Sequence, residues 1–272
     1  MIFFFPYDVD VGVRRTPIAN WVIIAANLAV FVLQVTGRIT PAHIDEVNDG
    51  GWNPIAMIES CYLHAGVFHI LGNMFFLWTF GNAVNAALGD LKYVLLYHGL
   101  GLFSSAAMQV MHGELGIGAS GAVSGIVGMY AVLFPMNEVS CYWGFWIGWR
   151  GGEGGTVGIA GVWLVAGWLI WDIGGALLPL ASNVGHWAHI AGFVGGIATA
   201  FILDHFRWTL LEPEDQVSIL ALATGRHEDL RQKKIDRLRP RSREELLKEL
   251  REREPARPKA KPVDDDSPIP MD

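Results

Sequence analysis

Hydrophobic positions along this chain fall into six long runs, at about 17–36, 67–88, 91–111, 119–136, 157–179 and 185–203. Runs of this length match the roughly 20 apolar residues that carry a helix across a bilayer. The pattern predicts an all-α membrane protein built as a six-transmembrane-helix bundle. The fourth run is short and rich in glycine, which suits the interior of the bundle better than its lipid face. Residues 37–64, between the first two runs, carry Asp45, Glu46, Asp49 and Glu59 against one arginine, Arg38. Trp52, Pro54 and Met57 in this stretch read as interfacial. Residues 137–155 gather Tyr142, Trp143, Trp146 and Trp149, which suit a belt at headgroup level. That stretch is too broken by glycine for a helix and is expected to lie along the membrane surface. From Asp204 the pattern changes: charges recur at helical spacing over 231–253, interrupted at Pro240, and 255–270 is rich in proline and aspartate. The chain therefore divides into an N-terminal segment (1–16), a six-helix domain (17–203) and a charged tail (204–272) that is partly helical and then disordered. Truncation near Leu211 is expected to leave the domain working.

Composition sharpens the membrane reading. Of 272 residues 51% are hydrophobic and 17% charged, where soluble domains carry about a quarter charged. The net charge of -7 is unevenly placed, and no basic stripe points to nucleic acid. The expected environment is the lipid bilayer. Arg14 and Arg15 precede the first run, and the tail holds most other basic residues. Six crossings return the chain to its starting side, so both termini are expected in the cytoplasm and the acidic 37–64 loop outside. This topology puts the only two cysteines, Cys61 and Cys141, on opposite sides, unpaired. The first fifteen residues lack the order of a cleavable signal, so the first run is expected to persist as a helix.

Polar groups inside apolar runs are costly, and each is a functional candidate. His69 and Asn73 lie four apart, on one face of the second helix, and both can donate hydrogen bonds; alone they serve equally well as a helix cross-link. In the fourth run, Gly121, Gly125 and Gly128 share a face that permits close approach, with Ser120 at the helix start, where a backbone N–H is free. In the sixth, His189, Gly192 and Gly196 share a face. Packed against each other, the two glycine faces place a serine beside a neutral base, which is how a hydroxyl nucleophile is activated. Donor pairs elsewhere then have a task, holding the oxyanion of an acyl intermediate.

At these residues the sequence resembles the rhomboid family of intramembrane serine proteases in its bacterial form. The motifs occur in order: His64, His69 and Asn73; then Gly118, Ser120 and Gly121; then Ala188, His189 and Gly192. The resemblance runs from Arg14 to about Leu203 and implies a six-helix protease domain. It implies Ser120 as nucleophile and His189 as general base, a dyad without a carboxylate. The Ser120 backbone N–H and the side chains of His69 and Asn73 would form the oxyanion hole, with His64, Gly118 and Gly121 supporting the site. No metal and no cofactor is implied. Substrates would be single-span transmembrane proteins, cut in the bacterial inner membrane, and the loop at 180–184 resembles the family's cap.

Two departures stand out. Many relatives carry an aromatic residue four after the serine, stacked on the histidine; here it is Ser124, which is expected to loosen the His189 ring. A glutamate commonly follows the Phe-Gly of the second helix; here Asn82 and Asn85 occupy that region, which is expected to weaken helix packing. The alternative function is a catalytically inactive rhomboid-like protein that binds membrane clients. His-Glu-x-x-His, the signature of a metalloprotease helix, is absent. Asp172 is the one clear buried aspartate, where an aspartyl protease needs two. His98, His112 and His186, near helix ends, read as solvated or capping residues.

Overall fold

Helices account for most of the described residues, as their apolar lengths predict. The computed structural model describes residues 2–11, 15–146, 152–178, 185–210 and 217–225, all within one compact unit, Met1–Arg231. Helix α1 (Ile18–Val35) turns Ala19, Asn20, Ile23 and Asn27 inward at three- and four-residue spacing. It leaves Val22, Val32 and Val35 exposed. Two short helices follow, α2 (Pro41–Asn48) and α3 (Pro54–Ser60). Each starts where an oxygen side chain caps the first turn and proline takes the first helical position, Thr40 before Pro41 and Asn53 before Pro54. The second apolar run is one continuous helix in three parts: α4 (Val67–Phe76), a π-helical turn at Leu77–Gly81, and α5 (Asn82–Leu88). Helix α6 (Asp90–His112) stops at Gly113, whose φ of 77° favours glycine. Helix α7 (Ser120–Leu133) comes next, and every residue from Gly121 to Leu133 is buried. It is the core of the bundle, as its glycine content predicts. Helices α8 (Gly161–Leu177) and α9 (His186–His205) complete it. Four helices, Ile18–Val35, Val67–Leu88, Asp90–His112 and His186–His205, are long and apolar enough to cross a membrane. Helices α7 and α8, at 14 and 17 residues, are apolar but shorter.

The chain is not all-α. Strands β1 (Ile2–Val9), β2 (Glu138–Trp146) and β3 (Gly152–Ala160) form an antiparallel sheet in the order β1-β2-β3. Ile2 pairs with Phe145 and Val9 with Val139, while Glu138 pairs with Ala160. The aromatic stretch expected to lie along the surface is thus a hairpin strand. Val139 and Cys141 face the core and Tyr142 faces out, the alternation of a half-buried strand. Glycines that break a helix are tolerated in β3, which occupies the start of the fifth apolar run and delays α8 to Gly161. Trp149 lies outside the described residues, as does the cap-like loop at 180–184.

Three further details correct the sequence reading. Met57 is not interfacial but packs with Ala56 and Leu115 in a small satellite core. Asn82 and Asn85 form part of a buried hydrogen-bond network rather than a weak point. Asn20 N–H donates to Asn85 Oδ1 (2.9 Å), Asn20 Nδ2 to Asn82 Oδ1 (2.8 Å) and to the Leu77 carbonyl (2.8 Å), and Tyr93 Oη to Asn20 Oδ1 (2.6 Å). Asn85 Nδ2 donates to Asp90 Oδ1 at 3.0 Å. This network ties α1, the π-turn, α5 and α6 together, with the Leu77 carbonyl of the π-turn accepting from the Asn20 side chain. Lastly, Leu203 does not end the packed chain. A short helix α10 (Ile219–Ala223) buries Ala221, and Ser218 Oγ donates to Asp204 Oδ2 at 2.6 Å. Cys61 and Cys141 are both buried and free.

The bundle has two distinct ends. At one, the sheet meets the π-turn and the chain after α9 meets α6: Thr79 Oγ1 donates to the Pro6 carbonyl (3.1 Å) and Lys92 Nζ to the Trp208 carbonyl (2.6 Å). At the other, Gly118 N–H donates to the Ser60 carbonyl (2.8 Å) and Leu115 N–H to the Asn48 carbonyl (3.0 Å).

Candidate active site

The site assembles at the second end, on the starts of α4, α7 and α9. Gly118 has φ +133°, and a Cβ there would lie 2.6 Å from His69 Cε1 and 2.7 Å from Nε2, so only glycine fits. The same point lies 3.7 Å from Ser120 Oγ. The His69 ring and the Ser120 hydroxyl therefore flank one small space above Gly118. Ser120 is the first residue of α7, half-buried, and its N–H has no intrahelical acceptor.

The glycine faces meet, in an asymmetric way. A Cβ on Gly192 would lie 2.1 Å from the Gly121 carbonyl oxygen, and one on Gly196 1.9 Å from that of Gly125. The α9 glycines thus rest on the α7 backbone. Gly121 and Gly125 instead turn toward α6, where a Cβ would meet Ser104 at 2.5 Å and Leu100 at 2.8 Å. Only Gly128 turns back to α9, at Phe193. This seam brings His189, one turn before Gly192, into the lining of the same cavity as Ser120. Ser124, one turn into α7, packs under Gly192.

A cavity of about 920 Å³ is lined by Ser120, His189, His69, Asn73, Gly118 and Gly121 among others. Its rim carries Asp45, Asn48 and Glu114, polar residues of the loops at that end. Among the described residues the Ser120 hydroxyl makes no hydrogen bond. Ala65 N–H donates to His69 Nδ1 (3.4 Å), which leaves Nε2 as the N–H end of a neutral ring, toward Gly118. Asn73 Nδ2 is buried without a hydrogen-bond partner among the described residues. His64 stands behind, outside the cavity lining, with its ring centroid 5.2 Å from that of His69. Its Nδ1 is 3.1 Å from the Tyr62 carbonyl. Burial, and then the adjacent His69, push His64 down to about 4, so its ring is neutral near pH 7.

Sequence reasoning missed the partners of His189. Asp172 in α8 is buried, and its Oδ1 lies 2.9 Å from His189 Nδ1 and 2.7 Å from His186 Nδ1. His186 is thus neither solvated nor a cap; it is buried, and its ring fills the space that a Cβ on Gly175 would occupy. The signal was present, a lone membrane aspartate and two histidines three apart on one helical face, but it joins two helices whose contact the sequence does not display. The three side chains bring ligand-type atoms within 4.8 Å of one another. His98 bonds to Tyr62 Oη at 2.8 Å, and His112 is exposed.

What the site can do chemically follows from this layout. A hydroxyl at a helix start, an imidazole, and three donors (the Ser120 N–H, His69 Nε2–H and Asn73 Nδ2) belong to residues that line one cavity, the parts needed for acyl transfer. Comparison with known proteins agrees. The Rhomboid domain family matches residues 51–206, more than half of the chain. The chain is 26% identical over 204 residues to the rhomboid protease GlpG of Salmonella choleraesuis (strain SC-B67), covering 73% of this chain and 67% of that protein. It is 25% identical over 205 residues to the rhomboid protease GlpG of Salmonella typhi, with the same coverage. A third match, to the rhomboid protease GlpG of Salmonella newport (strain SL254), is 28% identical over 141 residues, 52% of this chain and 45% of the relative. With a matching domain, apolar membrane-length helices and the motif residues gathered at one site, this chain is an integral membrane protein of the rhomboid family.

Proposed function

We propose that this protein is an intramembrane serine endopeptidase that cuts transmembrane segments of single-span membrane proteins, with Ser120 as nucleophile and His189 as general base. In this reading Ser120 Oγ attacks the scissile carbonyl carbon while His189 Nε2 takes the hydroxyl proton. The carbonyl oxygen becomes an oxyanion, held by the Ser120 N–H, His69 and Asn73. Collapse expels the amine, which receives its proton from His189. Water, activated by the same ring, then hydrolyses the acyl-enzyme. Gly118 and Gly121 keep the space open, and His64 braces His69. Six helices cross the membrane, α7 and α8 within the bundle, both termini are cytoplasmic, and the membrane is a bacterial plasma membrane.

The observation that carries this reading is the shared cavity: four side chains from three separate motifs line it. The test is labelling and cleavage by the full chain in detergent, with a panel of single-span substrates. Ser120→Ala should abolish both cleavage and labelling by a serine-directed electrophile, and His189→Ala should nearly do so. Ser124→Ala should be mild, since Ser124 lies a turn deeper, roughly 6 Å along the axis. An adduct on Ser124, or labelling that survives in Ser120→Ala, rejects the assignment.

A further inference from the structure

The cluster of Asp172, His186 and His189 joins α8 to α9; His189 lines the cavity with Ser120, whereas Asp172 and His186 are not among its lining residues. Two imidazole Nδ1 atoms approach the same carboxylate oxygen, at 2.7 Å from His186 and 2.9 Å from His189. These are charge-assisted hydrogen-bond distances. A tetrahedral zinc held by the same atoms, with ligand bonds near 2.0–2.1 Å, separates nitrogen from oxygen by roughly 3.3 Å. The observed spacing therefore fits N–H···O bonds rather than shared coordination. An ionised carboxylate only accepts, so both rings carry their proton on Nδ1. For His189 this leaves Nε2 bare, which is the form a general base requires.

We propose that Asp172 is a positioning residue of the catalytic site, holding His189 as the Nδ1–H tautomer and stabilising the imidazolium that forms when Ser120 gives up its proton. The proposal rests on the protease reading above and replaces its dyad with a relay of Ser120, His189 and Asp172. His186 is the second clamp. Its ring is wedged against Gly175, so its Nδ1 holds Asp172 Oδ1 in place while the carboxylate holds His189. The other carboxylate oxygen, Oδ2, is buried without a hydrogen-bond partner among the described residues, so there the charge of Asp172 is directed through Oδ1 to the two rings. Nothing else fixes the His189 ring comparably. Ser124, one turn from Ser120, is too short to brace it, and its one ring contact among the described residues is the edge of His186, with centroids 6.3 Å apart. A buried carboxylate is costly to retain inside a helical bundle, and among the described residues this one bonds the proposed base and the histidine that fixes it.

The test uses the full chain in detergent, with kcat, KM and the pH profile measured on one cleaved substrate. Asp172→Asn should lower kcat by about 100-fold, within the range of general-base catalysis, with KM within about threefold. The pH profile should change as well, because the base loses its neighbouring carboxylate, a change that a purely structural role would not produce. Asp172→Glu, which restores the carboxylate, should recover part of the loss. Nitrogen NMR of ring-labelled histidine in the wild type should find the Nδ1–H tautomer at His189, a readout that does not depend on a variant folding. An Nε2–H tautomer would overturn the proposal. So would an Asp172→Asn protein with kcat within threefold of wild type and an unmoved profile, or one zinc per purified chain that disappears in Asp172→Asn. A wild type that neither cleaves nor labels at Ser120 would overturn the protease reading and this proposal with it. An active wild type with an indifferent Asp172 overturns the proposal alone.

Discussion

Asn73 buries an amide nitrogen at the cavity wall with no partner among the described residues. An unsatisfied buried donor costs about 1–3 kcal/mol, a cost retained where the donor meets charge that develops only during reaction. Asn73→Ala should therefore lower kcat by about 100- to 1000-fold without lowering the melting temperature, since it removes a group that bonds to nothing in the resting protein. Steady-state cleavage and a thermal melt on the same preparation check both halves. Full activity would exclude Asn73 from the oxyanion hole, and a large loss of stability would make it a structural residue. At this scale much was legible in the sequence. His69, Asn73, Ser120 and His189 stand out because a polar side chain in an apolar run has to be explained. Met57 and His186 were misread because their neighbours decide their roles: Met57 meets Leu115 across a loop, and His186 meets an aspartate one helix away. Nothing local marks either residue as buried.

Among the elements, the α7–α9 contact decides whether a site exists at all. Gly196 rests on the backbone carbonyl of Gly125, and an added Cβ would sit 1.9 Å from that oxygen. Backbone within a buried helix has little room to give. Gly167, in the middle of α8, has nothing within 4 Å of the equivalent point. The same chemical change thus has opposite consequences. Gly196→Ala should cost about 1–3 kcal/mol or more from overpacking and reduce cleavage as His189 is displaced. Gly167→Ala should be neutral or stabilising by up to ~1 kcal/mol from helix propensity alone. Equal melting temperatures for the two variants would reject the seam. The helices were legible because apolar length and glycine spacing are local properties. The sheet was not: β1 finds its partner in β2 some 130 residues later, and an aromatic, glycine-rich hairpin looks like a membrane-surface segment when read alone. The Asn20–Asn82–Asn85 network escaped for the same reason, since each asparagine acquires its partner only when α1 packs against the π-turn.

For the whole molecule, the sheet bears on topology. Residues 2–9 pair with 138–146, which pair with 152–160, so the N-terminus and the α7–α8 connection share one end of the bundle. Lys92 and Trp208 meet there too. The 48–60 and 113–118 segments meet at the other end, with the cavity. Two-ended order of this kind follows from an even number of crossings between β1 and β2, whichever helices face lipid. Charge then supplies direction. Arg15 flanks α1 at the sheet end, and on the topology proposed above, with both termini cytoplasmic, the positive-inside bias assigns the sheet end to the cytoplasm. On that topology the cavity, lined by Asp45 and Glu114 among others, opens to the extracytoplasmic side. Reporter fusions after Leu210 should read cytoplasmic, and fusions within residues 45–59 extracytoplasmic. A cysteine at position 140, in the paired sheet, should resist an impermeant thiol reagent added outside intact cells, while one at position 46 should react, each in a Cys61→Ser, Cys141→Ser background. Reporters on a common side, or labelling of position 140 from outside, would break the link between the sheet and the cytoplasm and turn the cavity to face the wrong compartment.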